Sequence, residues 1–289
     1  MTLKKLEKKL LKQMGQAIED YNMIQRGDRV MVCVSGGKDS LTLLRLMHLA
    51  SVRSDNRFEV FSFTLDQKQP GWDDTAMREW MEKNDYPYEV FQKDTYSVVL
   101  EKTRPGKAYC SMCSRMRRGT IYEYAEQHGH NKIALGHHRE DLISSLMMSI
   151  CYSGEIRSMP PKMISDNQKN IVVRPLAYCA EEDIAEYAEL LKFPIIPCSL
   201  CGSQEGRARQ RIKAVINDLA ADNPDVPAVM LNALSNIQIS QLMDKSRWDF
   251  EQLEDKLLPA GSESVKRFPQ EDETDCGAVT GQADDILSV

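Results

Sequence analysis

The chain has 289 residues, 42% hydrophobic and 28% charged, which suits one large globular domain with appendages and excludes a low-complexity or fibrous protein. No apolar run reaches the ~18 residues of a membrane helix, and Met1-Thr2-Leu3-Lys4-Lys5 lacks the apolar core of a secretory signal, so no membrane partner and a cytoplasmic location are expected. The net charge of −6 conceals an asymmetry: residues 260–289 hold seven acids against two bases, whereas residues 101–130 hold six bases against three acids.

Leu3, Leu6, Leu10, Met14, Ile18 and Tyr21 recur at helical spacing, predicting an amphipathic helix over residues 2–23. The β-branched run Arg29-Val30-Met31-Val32-Cys33-Val34 predicts a buried strand, and residues 41–49 a following helix. Residues 58–65 read as a second strand and 75–84 as a helix introduced by Pro70-Gly71. A third strand is expected at 88–91, a helix at 114–128, a strand at 132–136 and a helix at 141–151. A further strand at 170–173 precedes a helix at 181–191. Residues 206–256 read as helical with a break near Asn223-Pro224, and from Leu258 onward the composition predicts an acidic, disordered tail. Strands alternating with helices imply an α/β fold with a doubly wound parallel sheet, whose ligands sit at the carboxyl ends of the strands. The expected division is an N-terminal helical segment (1–27), an α/β domain (28–205), a helical C-terminal segment (206–257) and the tail (258–289).

Between the first strand and its helix stands Ser35-Gly36-Gly37-Lys38-Asp39-Ser40. Glycines admit close approach of backbone N–H groups to an anion, and the helix N-terminus adds a favourable dipole. Ser35 and Ser40 can donate hydroxyl hydrogen bonds and Lys38 supplies positive charge, while Asp39 would repel phosphate unless it faces Mg²⁺. A Walker loop would need glycine where Val32 stands and Ser or Thr where Asp39 stands, so the pattern is a different one. It resembles the hallmark S-G-G-x-D-S of the PP-loop ATP pyrophosphatases. That resemblance implies cleavage of ATP between the α- and β-phosphates and transfer of AMP to a substrate oxygen.

The eight cysteines include two C-x-x-C pairs, Cys110/Cys113 and Cys198/Cys201. In a reducing compartment such pairs are metal sites or redox centres more often than disulfides, and these leave a zinc site, a redox pair or an iron–sulfur cluster open. Cys33, Cys151 and Cys179 lie in apolar surroundings and read as core packing, and Cys276 falls in the tail. With these pairs, Asp66-Gln67-Lys68-Gln69-Pro70-Gly71, Gly136-His137-His138-Arg139-Glu140-Asp141, Met159-Pro160-Pro161-Lys162, Arg174-Pro175-Leu176 and Pro194-Ile195-Ile196-Pro197 extend the resemblance over about residues 1–245. The chain resembles the 2-thiocytidine-forming PP-loop tRNA thiolases.

That resemblance implies ATP-dependent thiolation of cytidine 32 of tRNA, with Ser35, Gly36, Gly37, Lys38, Asp39, Ser40 and Gly136 holding ATP and Mg²⁺. Lys38, Asp39 and Asp141 would act in catalysis. A 4Fe–4S cluster would be held by Cys110, Cys113 and Cys201, with Cys198 the spare member of its pair, and would pass sulfur to the activated base. The family commonly carries two aspartates after Gly-His-His, and here the first position is Glu140. A cysteine desulfurase or other sulfur donor, tRNA and a second copy in a homodimer are the partners implied. Arg115, Arg117 and Arg118 are candidates to face RNA or polyphosphate, and Tyr109 to stack on a flipped base. For His137 and His138 a catalytic role is the less favoured reading. The alternatives are a 2-thiouridine-forming relative and a non-catalytic iron–sulfur or zinc RNA-binding module.

Overall fold

A computed structural model describes residues 1–54, 57–102, 110–196 and 204–257, apart from the side chains of residues 110, 111, 204–207 and 256. The chain forms two compact units, Met1–Asn236 and Ile237–Val289.

The first unit is a six-stranded sheet clothed by helices. In chain order it contains α1 (Leu3–Asp20), β1 (Arg29–Cys33), α2 (Lys38–Arg53), β2 (Glu59–Asp66), α3 (Thr75–Lys83), β3 (Tyr88–Gln92) and α4 (Tyr96–Lys102). There follow α5 (Cys110–Gln127), β4 (Lys132–Ala134), α6 (Arg139–Ser153), β5 (Lys162–Ile164), β6 (Ile171–Val173), α7 (Glu181–Leu191), α8 (Gln204–Asp222) and α9 (Val226–Ala233). The strand order is β3-β2-β1-β4-β6-β5: the chain runs outward from β1 through β2 to β3, crosses back to β4 beside β1, then reaches the edge at β5 and returns to lay β6 between β4 and β5. All pairings are parallel except β5 with β6.

The expected doubly wound sheet, parallel in four of its five pairings, is present, and it gains an antiparallel edge strand, β5, that the sequence did not predict. Its three residues are too few for a period-2 pattern to register in the sequence. Helix α4 was likewise missed, being only seven residues long. The helix expected through residue 256 ends at Ala233. Beyond it the second unit's described residues hold only two single-turn 3₁₀ helices, Ile239–Gln241 and Glu254–Lys256, and none of their described side chains is buried. An apolar residue every few positions does not sustain a helix without a surface to bury it against.

Three apolar clusters organise the first unit. On one face of the sheet, Leu6, Leu10, Met14 and Ala17 of α1 pack with Leu41, Leu44 and Met47 of α2, Ile184 and Tyr187 of α7, and Val30 and Val32 of β1. On the other face, Ile121, Tyr122, Tyr124 and Ala125 of α5 cover Met31, Phe63, Ile133 and Val172. Alternate residues of β1 thus serve opposite cores, as a strand buried on both faces requires. The third cluster joins Ile143 of α6 to Ile212 and Ile216 of α8, with Met230 and Leu231 of α9 packed against it.

The amino end of the short strand β4 is fixed by side chains. Asn131 Nδ2 donates to Asp28 Oδ1 at 2.8 Å, Asn131 Oδ1 accepts the Arg29 N–H at 2.9 Å, and Asn170 Nδ2 donates to the His130 carbonyl at 3.0 Å.

Candidate active site at the switch in strand order

Because each of β1, β4 and β6 runs parallel to its neighbour and is followed by a helix, α2, α6 and α7 all begin at the same end of the sheet. The crevice between β1 and β4, where the strand order reverses, is the place where such sheets take ligands. Residues 35–40 leave β1 there and residues 136–141 leave β4.

The loop is held by its own atoms. Helix α2 starts at Lys38, so Lys38, Asp39 and Ser40 form its first turn. Gly36 has φ +82°, a left-handed conformation that disfavours any side chain, and a Cβ there would stand 2.8 Å from Ile196 Cδ1. The Ile196 N–H donates to the Gly36 carbonyl at 3.0 Å. Ser40 Oγ donates to the Gly37 carbonyl at 3.0 Å and accepts the Ser35 N–H at 3.2 Å, with Ser35 Oγ 3.3 Å away. The two hydroxyls expected to face a phosphate are thus hydrogen-bonded within the turn.

Gly136 meets the same turn from the β4 side. A Cβ on it would lie 3.0 Å from the Ser40 nitrogen and 3.1–3.2 Å from the Asp39 carbonyl carbon and oxygen. The close approach that glycine permits is to the backbone of α2.

Lys38 Nζ donates to Asp39 Oδ1 at 2.9 Å and to Glu181 Oε1 at 3.2 Å. Burial works against its charge, but the hydrogen bond and charge of Asp39, then those of Glu181, hold its pKa above the ordinary lysine value. His138, 5% exposed, precedes α6, and its N–H donates to Asp141 Oδ2 at 3.2 Å. Its ring lies among carboxylates: Nε2 is 3.7 Å from Asp39 Oδ1 and 3.5 Å from Asp141 Oδ2, and Nδ1 is 3.3 Å from Glu140 Oε2. Burial opposes protonation there, but Glu140, Asp141 and Asp39 outweigh it and raise the imidazole pKa.

Glu140 is structural in its contacts. It accepts from Arg139 at 2.6 and 2.8 Å and from the Glu181 N–H at 2.8 Å, and sits beside His138. These donors overcome its burial and hold its carboxyl at about 2. His137 has its Nδ1 buried without a hydrogen-bond partner, and burial and Arg174 push its pKa down to about 4 against the opposing charge of Asp141. The two adjacent imidazoles are therefore shifted in opposite directions, His138 up and His137 down.

The cysteines separate. Helix α5 begins at Cys110, four residues earlier than expected, so Cys113 lies one turn in from its start. Its thiol is half-buried and unbridged, donating to Gln67 Oε1 at 3.5 Å and accepting from Arg117 Nη2 at 3.6 Å. Cys198 and Cys201, together with Tyr109, lie outside the described residues. Cys179 is buried and Cys33 partly so, and burial pushes both thiols up to about 12. Cys151, expected in the core, is exposed on the outer side of α6. Of the arginines after Cys113, Arg117 faces the thiol and Arg118 lies 3.5 Å from Asp166.

Glu181 and Lys213 were not singled out from the sequence. Glu181 opens an acidic triplet at the start of a helix that follows a parallel strand, a position that would have flagged it.

The PP-loop domain family matches residues 4–196. A tRNA-cytidine(32) 2-sulfurtransferase of Legionella pneumophila strain Paris is 58% identical over 257 residues, covering 89% of this chain and 91% of the relative. The chain belongs to this sulfurtransferase family. A tRNA-cytidine(32) 2-sulfurtransferase of Coxiella burnetii strain Dugway 5J108-111 is 57% identical across 88% of this chain and 99% of its own length. That of Chromohalobacter salexigens is 50% identical across 93% and 94%. Among solved structures, the U34-tRNA thiolase of Methanococcus maripaludis with its 4Fe–4S cluster superposes with a TM-score of 0.63. It is 16% identical, over 80% of this chain and 79% of that one, so it bears on the fold alone. For a 2-sulfurtransferase fold the described residues also supply no helix long and apolar enough to cross a membrane.

Proposed function

We propose that this chain catalyses ATP-dependent 2-thiolation of cytidine 32 in tRNA. The reading is carried by one observation: Lys38 and Asp39 sit at the strand-order switch of a chain that matches tRNA-cytidine(32) 2-sulfurtransferases over about nine-tenths of its length.

Residues 35–40 take the triphosphate at the start of α2, where the backbone N–H groups and the helix dipole favour an anion. Lys38 neutralises charge on the bridging and leaving phosphates. The cytidine O2 attacks the α-phosphorus, pyrophosphate departs, and the base is left bearing AMP as a leaving group. A sulfur nucleophile at the sulfide level then attacks C2, the C2–O2 bond breaks, AMP departs with O2 and its electron pair, and loss of the sulfur-borne proton leaves 2-thiocytidine. Nothing in this sequence needs a covalent link to the protein; positioning and charge neutralisation do the chemistry. Glu140 holds the start of α7 against α6, and Gly136 keeps the two halves of the site in contact.

Asp39 and Asp141 are the residues that would hold Mg²⁺, with the triphosphate supplying further oxygens. No group of three protein ligands stands ready among the described residues, and Asp39 is paired with Lys38. Both are part-exposed carboxylates that approach one imidazole nitrogen from facing helices, and hard oxygen ligands suit that ion. Cys113 fits an iron–sulfur ligand: it is an unbridged, half-buried thiol in the first turn of α5, three positions after Cys110 in the sequence. Cys110, Cys113 and Cys201 would hold a 4Fe–4S cluster, which when bound supplies a coordination position for sulfur. A cysteine desulfurase or other sulfur donor, a homodimeric assembly and a cytoplasmic setting complete the reading, and the acidic residues 258–289 stand apart from it.

The test is mass spectrometry of tRNA nucleosides from a strain lacking the gene. Loss of 2-thiocytidine, restored by the intact chain and not by Lys38→Ala, is the expected result. Undiminished 2-thiocytidine in the deletion strain overturns the proposal.

A further inference from the structure

Lys38 is committed to two carboxylates, and one of them is shared. Glu181 places Oε1 3.2 Å from Lys38 Nζ and Oε2 2.5 Å from Lys213 Nζ. Lys38 comes from α2, Glu181 from α7 and Lys213 from α8, so a single carboxylate ties the phosphate-facing helix to the helix that begins three residues after Cys201. The contacts are not incidental to a floppy surface. Glu181 is 23% and Lys38 28% exposed, and the backbone N–H of Glu181 is fixed by Glu140. Lys213 lies one residue from Ile212, which is 4% exposed in the α6–α8–α9 core, so the backbone that carries its longer, half-exposed side chain is anchored.

This geometry sets a charge problem. A lysine that must meet polyphosphate has to leave Glu181, or bring the phosphate alongside it. Either way an unpaired carboxylate would then face an anion at close range. Lys213 removes that difficulty, because Glu181 keeps a cation when Lys38 turns to the phosphate. We propose that Glu181 is a positioning residue for Lys38 and that Lys213 is its counter-charge, so that the position of α8 sets the affinity of the loop for ATP.

The inference rests on reading residues 35–40 as the ATP site, and it goes beyond that reading by giving α8 a part in nucleotide binding. Glu181 holds Lys38 in one rotamer beside the loop. Lys213 decides how strongly it holds. Removal of Lys213 leaves Glu181 to grip Lys38 and to repel the triphosphate. Removal of the Glu181 charge releases Lys38, which then binds ground-state ATP well but is poorly placed for the transition state.

The experiment is calorimetric titration of the intact, full-length chain with Mg·ATP, alongside steady-state pyrophosphate release with tRNA and a sulfur source. Lys213→Ala is expected to weaken ATP binding roughly three- to tenfold, in the range of coupling seen for residues that share one network. Lys213→Arg restores it. Glu181→Gln is expected to lower KM and kcat together. In the double variant E181Q/K213A, ATP binding returns to that of E181Q, because Lys213 acts only through the carboxylate. Lys213→Ala binding ATP like the unaltered protein overturns the inference, as does a double variant in which Lys213→Ala still weakens ATP binding as much as it does with Glu181 present. A drop in melting temperature with no change in ATP affinity overturns it too, by reducing the contact to a structural one. If the unaltered chain binds no Mg·ATP, it is the reading of the loop that fails.

Discussion

Gly136→Ala distinguishes a glycine that makes room for a nucleotide from one that makes room for a helix. The added methyl would begin 3.0 Å from the Ser40 nitrogen and 3.1 Å from the Asp39 carbonyl carbon, where ordinary contacts start near 3.4 Å. Both opposing atoms belong to backbone, so relief requires α2 and residue 136 to separate by a few tenths of an ångström. Overpacking of that kind costs about 1–3 kcal/mol. For a domain of this size it corresponds to a fall in Tm of roughly 3–10 °C. The same displacement moves Asp39 relative to Asp141, and since a misplacement of ~1 Å can cost about 10²-fold, a smaller one should cost about tenfold in kcat. Differential scanning calorimetry and pyrophosphate release measure the two effects. A variant with unchanged Tm and a raised KM for ATP alone would refute the packing argument and return Gly136 to the role of nucleotide contact.

Three further outcomes are expected. Glu140 has a carboxyl held at about 2 against an ordinary 4.5, so its stabilisation is complete above pH 4.5 and is lost as the pH falls toward 2. Since the group is 18% exposed, the depression corresponds to roughly 3 kcal/mol, and Glu140→Gln should lower stability at pH 7 while flattening urea-denaturation free energies between pH 5 and 2. Treating the native protein with a maleimide should label Cys151 and Cys113 by mass spectrometry and spare Cys179 and Cys33, whose thiols burial holds near 12; labelling of Cys179 without denaturant would contradict its burial. Ile212→Ala, at a 4% exposed position, should cost about 2–5 kcal/mol and accelerate hydrogen exchange in α8 before α1; uniform acceleration would show that the α6–α8–α9 cluster is not a separable packing unit.

The helices and strands that build the crevice were legible because their periods are strong. Leu6, Leu10 and Met14 recur every four residues, and Val30 to Val32 form an unbroken apolar run. The loop at residues 35–40 was legible because its two glycines, lysine and aspartate fall between them. Four features were not legible, each for a physical reason. Antiparallel β5 is three residues long and owes its existence to pairing with β6. Cys151 lies on the solvent side of a helix whose neighbours Met147 and Met148 are apolar, so composition alone put it inside. Glu181 acquires its role from Lys38, 143 positions earlier, and no local pattern encodes that meeting. The first turn of α2 was also read as loop, because Lys38, Asp39 and Ser40 carry no apolar signal.

Strand β4 holds only three residues, yet it carries half of the crevice on its carboxyl end. A ladder so short resists sliding weakly, and one step of slippage would turn every side chain to the wrong face. Its alignment is supplied by amide side chains at the opposite end, where Asn131 spans Asp28 and Arg29 and Asn170 grips the His130 carbonyl. Asn131 stands five residues from Gly136, or about 16 Å along an extended chain. An alteration there leaves residues 35–40 and 136–141 themselves unchanged, and would still be felt as a loss of turnover, because the clamp that aligns the two jaws lies at the far end of the strands.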